Sequence, residues 1–125
     1  MGALLASGKI GTAELFAANR WYETFAMAEY GVFDAEKAGT GGNVRLFAQE
    51  RQAAAATSYR LAREAIGMAG DLRMRAILSD GQSMAALALR LQQDRKMVAG
   101  MVVADLVRLA EHYTEVDHSR GRGIG

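Results

Sequence analysis

The stretch SDGQSMAALALRLQQDRKMVAGMVVADLVRLAEHY, residues 79–113, decides the fold and the function predicted for this chain. Its apolar residues recur at helical spacing on both sides of a short polar segment, Gln92-Gln93-Asp94. Ser83 and Asp94 are each suited to cap the helix that follows them. Two helices joined by so short a turn must cross steeply if both bury their apolar faces. The sequence therefore indicates either a helix-turn-helix that enters a DNA groove or a hairpin of core helices.

Side-chain sizes around the turn favour the helix-turn-helix. Ala88 is small enough for the second helix to approach the first, and Val98 can anchor that second helix in the core. The first turns of the second helix then present four residues to a DNA groove: Arg95, Lys96, Ala99 and Gly100. An arginine here can contact guanine or a phosphate, and a lysine is better suited to a phosphate. We predict that these four residues form the DNA-binding site.

Two features oppose this interpretation. Gln92 occupies the turn position at which such motifs usually have glycine. The second helix also has a further apolar side, formed by Gly100, Val103 and Val107. We expect the alanine-rich helix around Ala55 to cover that side, with a second subunit as the alternative.

The composition is that of a globular helical protein. The chain has 125 residues, of which 50% are hydrophobic and 23% charged, with no proline and no cysteine. We predict one all-α domain of about five helices over residues 1–117, with a C-terminal helix-turn-helix, and a flexible tail over residues 118–125. The absence of cysteine fits a cytoplasmic protein. No apolar run approaches the roughly 20 residues that span a bilayer, so we expect no membrane partner.

Charge is distributed unevenly along the chain. The formal net charge is +1, which argues against a strongly basic nucleic-acid binder. Residues 1–50 carry four basic and six acidic side chains, whereas residues 51–125 carry eleven basic and eight acidic ones. The positive bias of the second half is compatible with phosphate contacts but does not require them.

Aromatic residues are concentrated in the first half, where seven of the nine lie within residues 1–50. Helical spacing over residues 12–31 predicts that some of them form a core, which is the interpretation we favour. The alternative is a partner-binding surface that contains Trp21.

No pattern of catalytic residues stands out. His112, Glu115 and His118 have helical spacing, but a solvated helix end explains them better than a metal site does. Asp105 lies within an apolar helix and should pair with an arginine such as Arg73 or Arg75. We expect no enzymatic activity, no cofactor and no metal.

Two blocks resemble a known helical domain. They are LLASGKIGTAELFAANRWYETFAMAEYG, residues 4–31, and the stretch that runs from ERQAAAATSYRLAREAIG through LRLQQDRKMVAG to LVRLAEHY, residues 50–113. The chain is similar, over most of its length, to an uncharacterised helical domain of alphaproteobacterial and phage-related helix-turn-helix regulators. Some members of that family occur in activators of gene transfer agents. The family usually has Gly-Trp-Pro in the turn, where this chain has Gln92-Gln93-Asp94, and Arg95 or Lys96 would stand for its basic residue.

The resemblance implies a DNA-binding transcription regulator of phage-like or gene transfer agent genes. Two alternatives stay open at this point. One is an interaction module that contacts RNA polymerase or another regulator through the aromatic half of the chain. The other is a small packaging or structural component of a phage-like particle. The DNA target, the direction of regulation and the oligomeric state are open as well.

Overall fold

The predicted all-α class is confirmed, since the described part of the chain contains helices and no strand. The computed structural model describes residues 4, 7–31 and 42–124, and the side chains of these residues except 42–45 and 120–124. The described residues form four α-helices: α1 (Thr12–Tyr30), α2 (Gly42–Met74), α3 (Met84–Leu91) and α4 (Arg95–Ile124). A π-helical turn, Arg75–Ser79, follows α2 directly.

Two glycines mark the ends of α1. Gly11 is the N-cap residue: its backbone N–H donates to Glu14 Oε1 at 3.1 Å, and the helix begins at Thr12. At the other end Gly31 adopts a left-handed conformation with φ 65°, and its N–H donates to Met27 O at 2.9 Å.

A single non-helical residue, Gly67, interrupts α2 with φ 77° and ψ 170°. Only glycine adopts this conformation without strain, so the kink requires a glycine at this position. Gly70, three residues further on, lies inside the helix and is buried.

The core forms where α1, α2 and α4 pack against one another, and α3 packs on α4. Trp21 lies at its centre with no exposed surface, stacked on Phe25 at a ring-centroid distance of 5.1 Å. Tyr59 of α2 meets the same indole edge-on at 6.0 Å. The alternative in which Trp21 anchors a partner is therefore wrong, because the side chain is enclosed by the helices of its own chain. Its indole Nε1 is buried without a hydrogen-bond partner.

The last helix is longer than the sequence suggested. It continues through the predicted boundary between residues 117 and 118 and ends at Ile124. Arg20 of α1 forms a bidentate ion pair with Asp117, with N–O distances of 2.9 and 3.0 Å. Within the described residues, no helix combines the length and the apolar character needed to cross a membrane.

Candidate nucleic-acid interface

The turn between α3 and α4 is built by local hydrogen bonds. Ser83 Oγ accepts from the backbone N–H of Ala86 at 3.0 Å and caps α3, as predicted. Gln92 then adopts a left-handed conformation, with φ 55° and ψ 45°. The N–H of Gln93 donates to Ala88 O at 3.0 Å, which closes the end of the helix. Gln92 thus takes the conformation that glycine usually supplies, at a cost of about 1–2 kcal/mol for a residue with a Cβ.

Asp94 caps α4, also as predicted. Its Oδ2 accepts from the backbone N–H groups of Lys96 at 3.0 Å and Met97 at 3.3 Å. These amides are thereby satisfied by a carboxylate and are not available to a phosphate. Any phosphate contact at this end of α4 must therefore come from side chains.

Both helices of this segment bury their apolar sides in the common core. On α3, Leu87 has no exposed surface and Ala88 only 5%. On α4, Val98 and Val102 have none, and Met101 is partly buried against them. The anchoring expected of Ala88 and Val98 is therefore found.

The four predicted site residues lie together on the first turns of α4. Arg95, Lys96 and Gly100 are exposed, and Ala99 is partly exposed. A Cβ added at Gly100 would have no atom within 4 Å, so the backbone is openly accessible there. The segment presents two cations and two small residues to solvent.

We predicted that α2 packs against the side of α4 that carries Gly100, Val103 and Val107. This prediction is wrong at Gly100 and at Val107. No atom of the described residues lies within 4 Å of a Cβ built on Gly100, and Val107 is 38% exposed, although Val103 is partly buried against the core. The reason is that α2 contacts another side of α4, the side that carries Asp105. A Cβ on Gly70 would lie 3.0 Å from Asp105 Oδ1, which shows how closely the two helices approach.

A buried ion pair fixes α4 against α2. Arg73 Nε donates to Asp105 Oδ2 at 2.6 Å, and Arg73 Nη2 donates to Asp105 Oδ1 at 3.1 Å. The carboxylate raises the pKa of Arg73 through these hydrogen bonds, so the guanidinium stays charged. The predicted pairing of Asp105 with an arginine is confirmed, with Arg73 as the partner.

The other predicted candidate, Arg75, belongs to a separate network that sequence reasoning missed. Its Nη2 donates to Tyr59 Oη at 2.8 Å, and its Nε lies 3.1 Å from Asp71 Oδ2. Tyr59 Oη in turn donates to Asp71 Oδ1 at 2.6 Å. Burial, together with this hydrogen bond to Asp71, raises the pKa of Tyr59 to about 12. The only sequence signal was the i,i+4 spacing of Asp71 and Arg75.

Asp71 and Arg75 of this network line a cleft beside α3. The cleft has a volume of about 620 Å³ and contains three arginines, Arg63, Arg75 and Arg90. The residues that line the cleft are far apart in the sequence, on α2, the π-helical turn and α3. No local sequence motif therefore predicts the cleft.

The histidines do not form a metal centre. No group of three or more His, Cys, Asp or Glu residues in the described part of the chain could hold a metal ion. His112 is half-buried, and burial lowers its pKa, with a further lowering by the nearby cation Arg20.

Comparison of the chain with protein-family models, with characterised proteins and with solved structures finds no match. An assignment of DNA binding must therefore be supported by the geometry of the α3–turn–α4 segment.

Proposed function

We propose that the α3–turn–α4 segment is a helix-turn-helix and that the protein binds duplex DNA through the first turns of α4. One observation carries the proposal: Arg95, Lys96 and Gly100 are exposed together at the start of a helix whose opposite side is buried in the core. A helix that enters a groove needs such a free face on a rigid support.

The site residues have different roles in this proposal. Arg95 and Lys96 supply the positive charge, since Asp94 already occupies the backbone amides of the helix end. Arg95 contacts a guanine edge or a phosphate, and Lys96 contacts a phosphate. Ala99 and Gly100 are small and allow the helix backbone to lie close to the base edges.

The regulatory part of the proposal rests on the resemblance of the chain to helix-turn-helix regulators. We infer that the protein controls transcription of phage-like or gene transfer agent genes by binding DNA near them. DNA binding can be tested independently of this role in transcription.

A second candidate function, a protein-interaction module, is favoured by two exposed aromatic side chains on α1. Phe16 is 71% exposed and Tyr30 is 68% exposed. Phe16 and Tyr30 are 14 residues apart, which is close to four turns of a helix with 3.6 residues per turn, so they lie on nearly the same face of α1. Such a face can anchor RNA polymerase or another regulator, in place of the buried Trp21.

DNA binding is tested by enriching duplexes from a random library on the immobilised protein and measuring their affinity by fluorescence anisotropy. We expect an enriched sequence whose binding weakens in the Arg95→Ala and Lys96→Ala variants, each with an unchanged circular dichroism spectrum. Arg108→Ala is the matched control, because Arg108 is an exposed arginine further along the same helix. No enrichment, or equal affinity of all variants, would contradict the proposal.

A further inference from the structure

The cleft beside α3 has the chemistry of a ligand site that is separate from the exposed face of α4. Its volume of about 620 Å³ lies within the range of clefts that hold small organic molecules. One side is formed by α2 around the kink at Gly67 and by the π-helical turn that follows; the other is closed by Arg90 of α3. We propose that this cleft binds a small organic acid that has one carboxylate and an apolar body.

Two cations in the cleft have no acidic partner among the described residues. Arg75 is held by Asp71 and Tyr59, whereas neither Arg63 nor Arg90 forms an ion pair with a described residue. The guanidinium carbon of Arg63 lies over the ring of Tyr59, 5.8 Å from the ring centroid. A guanidinium matches the geometry of a carboxylate and can donate two parallel hydrogen bonds to it.

The balance of charge in the cleft favours a single negative charge. Its lining contains Arg63, Arg75 and Arg90 together with Asp71 and Asp80, which leaves one net positive charge. A ligand with one carboxylate would neutralise this charge. A polyanion would add repulsion from Asp80, which is exposed beside the cleft.

Two apolar residues of the lining, Met68 and Leu72, are exposed. Met68 is 86% exposed and Leu72, one helical turn further along α2, is 40% exposed. A bound alkyl or aryl group would remove this surface from water, and an unbranched methionine adapts readily to the shape of such a group. Among the described residues no aromatic side chain lines the cleft, so the observations favour an aliphatic body over a stacked base.

The test is a titration of the ¹⁵N-labelled protein with octanoate, followed by amide chemical shifts. We expect saturable shifts confined to residues 63–80 and the end of α3. Acetate lacks the apolar body and octylammonium has the opposite charge, so neither should produce saturable shifts at the same concentrations. Saturable shifts with either control compound, or with octanoate at another surface only, would overturn the proposal.

Variants at the two free arginines supply the second readout. Arg63→Gln and Arg90→Gln should each weaken octanoate binding about fivefold or more, because a charge-assisted hydrogen bond is lost at a partly open site. Arg60→Gln is the matched control, since Arg60 is an exposed arginine on the same helix outside the cleft. All three substitutions are at exposed positions, so each variant should keep the amide spectrum of a folded protein. Equal octanoate affinity in the wild type and both cleft variants would also overturn the proposal.

Discussion

Arg73 on α2 and Asp105 on α4 form a bidentate ion pair whose carboxylate is 2% exposed. Asp105 lies on the helix that carries Arg95 and Lys96, so the pair fixes the direction of that helix relative to the core. Removing one partner would leave a buried charge without compensation, which typically costs about 3–5 kcal/mol.

The first prediction follows from this pair. Arg73→Met should lower the free energy of unfolding by about 3–5 kcal/mol, because Asp105 then lies uncompensated in the core. Urea denaturation is measured for Arg73→Met, for Asp105→Leu and for the double variant that carries both changes. The three free energies of unfolding, compared with that of the wild type, give the coupling energy between the two side chains. The double variant should be more stable than Arg73→Met alone. If the single changes are small and simply additive, the ion pair does not hold the helices together.

The second prediction compares two glycines within helices. At Gly70 a Cβ would lie 3.0 Å from both Asp105 Oδ1 and Ile66 Cβ, so Gly70→Ala should destabilise the protein. At Gly100 a Cβ meets nothing within 4 Å, so Gly100→Ala should raise the free energy of unfolding by up to about 1 kcal/mol through helix propensity. Thermal unfolding of both variants checks the opposite signs. A stabilising Gly70→Ala would contradict the close approach of α2 to α4.

The third prediction separates the buried and the exposed aromatic residues of α1. Trp21→Ala should cost about 3–5 kcal/mol of stability, since it empties the centre of the core. Phe16→Ala should change stability by no more than about 0.5 kcal/mol, because the side chain is 71% exposed. Chemical denaturation monitored by circular dichroism measures both. A fully stable Trp21→Ala variant would mean that the indole does not lie in the core.

The fourth prediction concerns alkaline pH. Burial raises the pKa values of Tyr59 and Tyr113 from 10.0 to about 12, with a further contribution from Asp71 at Tyr59. Between pH 10 and 12 the folded protein therefore binds more protons than the unfolded chain, and its stability should fall as the pH rises through this window. The stabilising effect of the neutral phenols is fully present below pH 10.

Ultraviolet absorbance of tyrosinate during a pH titration tests this fourth prediction. A late ionisation phase near pH 12 should be present in the wild type and absent from the Tyr59→Phe/Tyr113→Phe variant. Complete ionisation of all tyrosines well below that pH in the folded protein would show that the two phenols are not buried.

Features set by neighbouring residues were predictable from the sequence. Ser83 and Asp94 cap their helices as expected, because a capping side chain bonds to amides two or three residues away. The pairing of Asp105 followed from the rule that a buried charge needs a partner. The packing of Val98 followed from helical spacing.

Features set by long-range packing were not predictable. Nothing in the sequence alone distinguishes Gly67, which kinks α2, from Gly70, which permits close contact with α4. The predicted cover of Gly100 was wrong because α2 contacts the side of α4 that carries Asp105, close to Gly70. The cleft with Arg63 and Arg90 was missed because it exists only when two distant helices are brought together.

The most direct test of DNA binding by the first turns of α4 is the salt dependence of affinity for duplex DNA. The slope of log affinity against log salt concentration counts phosphate contacts, and losing one contact reduces the slope by about 1. Fluorescence anisotropy on one duplex compares four proteins: the wild type, Arg95→Ala, Lys96→Ala and the control Arg108→Ala. We predict weaker binding for both site variants, a reduced slope for Lys96→Ala, and wild-type behaviour for Arg108→Ala. Identical affinities and slopes for all four proteins, with folding intact, would contradict the assignment of this face to DNA.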